Sequence, residues 1–359
     1  KADGIVSVTR PLLSYVLASY TRDAFARVDD DLRMLRSLGF RIVTFVPTYY
    51  VTECENGSLR LDSSKTPSLA DQRQAFRTAL ELGFSLRVTP HIDVRGKWRG
   101  LLGLNPLALF ESSNFSYASA ILHPTLQAID TAFAEAKELL QSDSPHVIFT
   151  LGSELDKSVS RFSEKWCEVL AMAQSQRREL EHCEQVEFCH NLNWDHRWRV
   201  RSNAARDAYI SMLDRVSFSY YPPVIRFSLH TADRHSVEAL ALDRRKAYER
   251  CTKWVCRLND TIDLGEIGLG SAEFLRPYNY SENAFDGPEG HAARQIRRLY
   301  WAAILEFLSE CGKHKMSITG PRHATIWSAG VYNILGTQGH PEKHDWPIAE
   351  MIKKYNQSD

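Results

Sequence analysis

Eight short β-rich runs recur along the chain, each followed by a longer stretch of helical periodicity, and this alternation constrains the fold more than any other feature. The runs are Leu13–Ser19, Arg41–Pro47, Ser85–His91, His146–Gly152, Val186–Asn193, Val216–Tyr221, Thr261–Glu266 and Ala324–Ala329. Several are continuously apolar rather than alternating, as expected of parallel strands covered by helices. Between them, Trp166, Val169, Leu170 and Ala173, and again Ile296, Leu299, Tyr300 and Ala303, fall at i, i+3, i+4 and i+7. Gly39 and Gly83 each stand between a helical pattern and a strand, where the chain needs a left-handed residue. Eight strands alternating with about eight helices, without an internal linker, predict an α/β chain forming one (β/α)8 TIM barrel with extended βα loops. Residues 1–359 are read as that single domain. The rival, a doubly wound open sheet, lacks support: no G-x-G-x-x-G follows the first strand, and there is no P-loop.

Composition removes other classes. Lys plus Arg and Asp plus Glu both number 44, and no basic stripe is present, so nucleic acid is not an expected partner. No apolar run reaches the roughly 20 residues of a membrane span. The seven cysteines form no C-x-x-C pair and have neither zinc-finger nor thioredoxin spacing. Free buried thiols are the simplest reading, and one or two disulfides stay open. Sequons at Asn56, Asn114, Asn259, Asn279 and Asn356 lean toward a secreted or extracytoplasmic protein. A monomer is expected.

A barrel enzyme carries its chemistry at the C-terminal ends of its strands. The fourth run reads Val147-Ile148-Phe149-Thr150-Leu151-Gly152-Ser153-Glu154, and the seventh Thr261-Ile262-Asp263-Leu264-Gly265-Glu266-Ile267-Gly268. Each is an apolar strand closed by a carboxylate beside a glycine. Two carboxylates across one barrel mouth are what glycosidic cleavage requires. One protonates the departing oxygen, and the other attacks the anomeric carbon or activates water. Glu154 and Glu266 are therefore the expected catalytic pair.

The remaining strand ends are aromatic and polar. The third leads through Pro90-His91-Ile92-Asp93 to Trp98-Arg99-Gly100, the fifth ends Asn193-Trp194, the sixth ends Ser219-Tyr220-Tyr221-Pro222, and the eighth carries Trp327. A sugar offers hydroxyls at its edge and C–H groups on its faces, so a sugar site pairs polar side chains with flat rings. Expected substrate contacts are His91, Asp93, Trp98, Arg99, Asn193, Trp194, Tyr220 and Trp327. Tyr278 joins them from the aromatic-rich loop Leu269–Gly290 (Phe274, Tyr278, Tyr280, Phe285). Tyr220 is expected to donate its hydroxyl hydrogen to the nucleophile.

These motifs resemble the clan A glycoside hydrolases, and most closely the family 113 endo-β-1,4-mannanases, over most of the chain. Pro90-His91-Ile92-Asp93 with Trp98-Arg99-Gly100 looks like that family's strand-three segment. Gly152-Ser153-Glu154-Leu155 is similar to its Gly-Thr-Glu-Leu acid/base motif, Asn193-Trp194 to its strand-five ending, and Ser219-Tyr220-Tyr221-Pro222 to its strand-six Tyr motif. Gly265-Glu266-Ile267-Gly268 looks like its Thr-Glu-Ile-Gly nucleophile segment. The resemblance implies a retaining double displacement on β-mannan, with Glu266 as nucleophile and Glu154 as acid/base, and neither metal nor organic cofactor.

Two departures bear on the substrate. Ser153 stands where the family carries Thr and much of the clan carries Asn, and the segment between Pro223 and Cys256 is long. Another β-1,4 glycan, including a hexosamine polymer such as chitosan or peptidoglycan, is the alternative target. A sugar-binding barrel without catalysis is the rival from another class. A metal-dependent hydrolase, with ligands from His91 and Asp93 or from His190, Asp195 and His196, finds no H-x-H or H-E-x-x-H pair to support it.

Overall fold

The computed structural model describes residues 10–19, 21–53, 59–94, 97, 99–108, 116–140, 145–183, 185–194, 203–221, 237–268, 287–311, 320–328, 334–338 and 344–358. The described residues form a closed barrel of eight parallel strands: β1 (Leu12–Ala18), β2 (Ile42–Val46), β5 (Ser85–Val88), β7 (Val147–Ser153), β8 (Val186–Asn193), β9 (Arg215–Tyr220), β10 (Ile262–Ile267) and β11 (His323–Ile326). Around the ring the order is β1, β11, β10, β9, β8, β7, β5, β2, and β2 closes on β1. The (β/α)8 barrel expected from the alternation is therefore present, with strand bounds within a few residues of the expected runs. A small sheet of β3 (Thr48–Glu53), β4 (Leu59–Leu61) and β6 (His91–Val94) continues the chain beyond the ends of β2 and β5. The sequence pattern does not anticipate this sheet, because its strands are short and abut the barrel strands.

The helices among the described residues are α1 (Asp29–Ser37), α2 (Leu69–Glu81), α3 (His123–Ala136), α4 (Asp156–Arg161), α5 (Ser163–Arg177), α6 (Ala204–Met212), α7 (Val237–Thr252), α8 (Gly287–Cys311) and α9 (Trp346–Gln357). Two of their ends show how the sequence sets them. Gly39 and Gly83 take φ of 83° and 77°, the left-handed conformation that costs a side chain strain but not glycine. After each, Phe40 N–H reaches back to the Leu35 carbonyl, and Phe84 N–H to that of Ala79, closing helix and strand into one turn.

Strand periodicity divides each barrel strand between two environments. Leu13, Tyr15, Leu17, Val43, Phe45, Phe188, Phe218, Leu264 and Ile326 join the main apolar core beneath the helices. The opposite face lines the barrel and is largely polar. Ser14 Oγ meets Thr44 at 2.9 Å and Thr325 at 2.7 Å, while Thr89 meets Thr150 at 3.0 Å. Toward the N-terminal end of the barrel, buried Asp263 pairs with Arg87 at 3.2 Å and Arg215 at 2.9 Å. Burial opposes that charge, but His323, Arg215 and Arg87 together hold the Asp263 carboxyl far below the usual carboxylate range. The barrel floor is thus an ion-paired plug, and the apolar energy lies between strands and helices.

Candidate active site

Both carboxylates stand at the C-terminal ends of their strands, and each is aimed by a bulge. Along β9–β10 the partners run Leu264 with Phe218, then Glu266 with Ser219, so two residues oppose one. Without Gly265 as the extra residue, Glu266 would follow Ile262 and Leu264 into the core beneath the helices. With it, Glu266 shares the barrel-lining face of Ser219. Along β7–β8 the partners run Thr150 with Cys189, then Ser153 with Asn191, the same one-residue surplus just before Glu154. Glycine is required in both bulges. A Cβ on Gly265 would lie 2.3 Å from Asn191 Oδ1, and one on Gly152 would lie 2.5 Å from His190 Cε1.

Glu266 is buried, with its side chain 7% exposed. Its Oε1 accepts from Ser153 Oγ at 3.2 Å and Asn191 Nδ2 at 3.3 Å, and its Oε2 accepts from Tyr221 Oη at 3.0 Å. Burial pushes its pKa above the usual glutamate value, against the pull of Arg99 and the hydroxyl donors. The group is thus held and oriented as an acceptor while its charge is left poorly solvated, which raises the reactivity of the anion.

Glu154 lies one residue past β7 with φ of 55°, a left-handed conformation that costs a glutamate about 1–2 kcal/mol. Its N–H is captured by the Asn191 carbonyl at 2.8 Å, which fixes the turn. Its side chain is 12% exposed, and Oε2 stands 3.8 Å from Arg99 Nε. The other side of Arg99 faces Asp93, with Nη2 3.4 Å from Oδ1. One strand-end residue, Asn191, therefore holds the main chain of one carboxylate and the side chain of the other.

His91 and Trp327 form a wall of the same site. Their rings stack with centroids 5.6 Å apart and planes at 16°. His91 opens β6 rather than ending a barrel strand, and its Nε2 stands 3.5 Å from Glu266 Oε1 without a hydrogen bond. Burial lowers its pKa to about 3, so the ring is neutral and offers one polar atom to a bound molecule. Asn193 is engaged elsewhere: its Nδ2 and N–H both donate to buried Asp156, the latter at 3.0 Å. Trp194 is half-buried and packs against the main core, its N–H reaching the Ser219 carbonyl at 3.2 Å. Trp98 and Tyr278 lie outside the described residues.

The expectation for Tyr220 is corrected. Its hydroxyl donates to the Arg244 carbonyl, and its ring lies against Tyr248 and Phe307 among the helices. Tyr221 makes the bond to Glu266 instead. Parity explains the exchange: Val216, Phe218 and Tyr220 face the helices, whereas Ser217, Ser219 and Tyr221 continue the lining face. The strand-end pattern does not mark Asn191 or Ser153 as partners of Glu266 either. Counting by twos from Glu187, which meets Arg215 at the barrel floor, leads through Cys189 to Asn191 and identifies it.

His190 lies on the helix side of β8, its ring against Trp166 and its Nδ1 3.0 Å from the Tyr209 hydroxyl. Among the described residues, no group of three or more His, Cys, Asp or Glu side chains is arranged to hold a metal ion. No disulfide joins any two of the six described cysteines, 167, 183, 189, 251, 256 and 311, and no described helix is long and apolar enough to cross a membrane.

The sequence matches no protein-family model and no curated protein. Solved structures do match the fold. A GH113 β-1,4-mannanase superposes with a TM-score of 0.57 at 16% identity, covering 98% of this chain and 100% of that one. A second GH113 β-1,4-mannanase gives 0.53 at 17%, again covering 98% and 100%. The GH113 β-mannanase AaManA from Alicyclobacillus acidocaldarius, solved in complex with ManMIm, gives 0.53 at 15%, covering 98% and 99%. Across nearly its whole length, then, this chain shares the barrel fold of GH113 β-mannanases.

Proposed function

We propose that the chain is a retaining glycoside hydrolase acting within β-1,4-linked polysaccharide, with β-mannan as substrate. The observation that carries this reading is the shared clamp on two strand-end carboxylates: Asn191 touches both, and Glu266 accepts three hydrogen bonds in a buried setting. A structural carboxylate at a strand end needs neither a bulge to aim it nor a burial that opposes its charge. The barrel shared with GH113 mannanases adds support, because the two residues stand at the ends of strands four and seven in barrel order.

In the first step a Glu266 oxygen bonds to the anomeric carbon, and the bond from that carbon to the glycosidic oxygen breaks. The departing oxygen takes the proton of Glu154. In the second step Glu154, now ionised, removes a proton from water as the water oxygen displaces Glu266, restoring both carboxyl groups. Tyr221, Ser153 and Asn191 orient Glu266 for the first attack and receive its charge when it leaves. His91 and Trp327 form a polar-edged apolar wall suited to a sugar face.

The test is hydrolysis of a panel of soluble β-1,4 glycans with the first-formed anomer followed by proton NMR. Mannan cleavage with the β anomer appearing first is the expected result. The α anomer appearing first would overturn retention, and cleavage of chitosan or peptidoglycan alone would move the substrate to the hexosamine polymers.

A further inference from the structure

The mechanism above leaves one charged group beside Glu154 without a role. Arg99 stands 3.8 Å from Glu154 Oε2, and a guanidinium there favours the ionised form of a residue that must first deliver a proton. Asp93, from β6 of the small sheet, faces the same guanidinium at 3.4 Å. Its negative charge opposes the field of Arg99 at Glu154.

We propose that Asp93 and Arg99 act together as a positioning pair that sets the pH at which Glu154 gives up its proton, Arg99 drawing the proton off and Asp93 moderating that pull. This inference rests on the glycosidase reading for its role and goes beyond it in naming what tunes the acid. The pair joins two parts of the fold, since β6 belongs to the small sheet and Glu154 to the end of β7. Opposed charges of this kind suit an acid that must also serve as a base. Arg99 bears on Glu266 as well, lowering its hold on a proton. Once Glu266 is tied up in a glycosyl ester, its negative charge is gone, and the field of Arg99 falls more fully on Glu154 as it turns to base.

Other titratable groups face this corner besides Glu266. His91 feels Arg99, Asp93 and Glu154, but burial keeps it neutral, its pKa lowered to about 3. Tyr50, the register partner of Asp93 across β3 and β6, feels Asp93 and Arg99. Asp156, at the start of α4, feels Glu154, and burial pushes its pKa up to about 7. These groups are present in every variant below, and the NMR titration of Glu154 reads the carboxyl itself apart from them.

The experiment is the pH dependence of kcat/KM on a β-1,4-mannooligosaccharide, whose poor leaving group needs the acid. It is run for the wild type, Arg99→Met, Asp93→Asn and Arg99→Lys, beside carbon-13 NMR titration of the Glu154 carboxyl assigned through Glu154→Gln. Arg99→Met should move the alkaline limb up by about one pH unit and Asp93→Asn should move it down by a similar amount, with the NMR midpoint following each. Arg99→Lys should stay near the wild type. Both altered side chains are partly exposed, at 16% and 32%, so folding should survive; Arg99→Gln serves if the Met variant does not fold. Limbs and midpoints that stay put, or that move in the same direction in both variants, overturn the inference. A wild type that cleaves no glycan instead overturns the glycosidase reading, while the NMR titration still decides the pairing.

Discussion

Gly265 and Asn191 approach so closely that a methyl group on the first would lie 2.3 Å from the amide oxygen of the second. Because the same Asn191 amide donates to Glu266 and to Ser153, the contact ties the bulge to the aim of the carboxylate. Gly265→Ala must therefore push Asn191 aside or undo the bulge. The expected outcome is a folded protein with kcat reduced about 100-fold or more, the usual cost of misplacing a reacting group by about an ångström. Steady-state kinetics beside a thermal melt would separate this from simple unfolding.

Tyr221→Phe and Tyr220→Phe should behave as opposites despite being neighbours. Burial already raises the pKa of Glu266, and removing the Tyr221 hydroxyl takes away a donor that stabilises its anion. A nucleophile must be ionised, so activity is lost as pH falls through its folded value. The acidic limb of kcat/KM should therefore move to higher pH in Tyr221→Phe. Tyr220→Phe should leave the pH profile alone and lose about 1 kcal/mol of stability with its bond to the Arg244 carbonyl.

The contrast shows where sequence pattern is informative. The eight barrel runs are legible because each couples apolar residues to a helix, and that periodicity spans many residues. The strand-end placement of Glu154 and Glu266 is legible because in each case an apolar run closes on a carboxylate with glycine close by. The bulges at Gly152 and Gly265 are not, because a one-residue surplus leaves composition unchanged while reversing the face of everything after it. Choosing Tyr220 over Tyr221 fails for want of a parity count, and parity also hides Asn191. Its role depends on which strands become neighbours, a property of ring order rather than of the local run.

Asp156 predicts a pH-dependent stability. Burial raises its folded pKa to about 7 from a usual value near 3.8. Between those values the folded state holds a proton that the unfolded chain has lost, so this contribution is present at low pH and fades as pH rises toward 7. Asp156→Asn cannot reproduce both bonds from Asn193 and should be less stable at pH 5. The gap to the wild type should narrow by pH 8, measured by urea denaturation at each pH; a constant gap would contradict the assignment.

Asp263→Asn should be costly for a different reason. It leaves buried Arg87 without its carboxylate and Arg215 with Glu187 alone, since Asp263 faces both guanidinium groups. Loss of a buried partner of this kind costs roughly 3–5 kcal/mol. Chemical denaturation should show that loss, or the variant should fail to accumulate as folded protein. A change below about 1 kcal/mol would mean that the barrel floor is well solvated.

The most direct measurement is intact mass followed by peptide mapping after incubation with an activated 2-deoxy-2-fluoro β-mannoside, whose fluorine slows hydrolysis of any glycosyl ester. A single added sugar carried on Glu266, and absent from Glu266→Gln, is the predicted result. A label on another residue, or none on a protein shown to cleave β-mannan, would contradict the account.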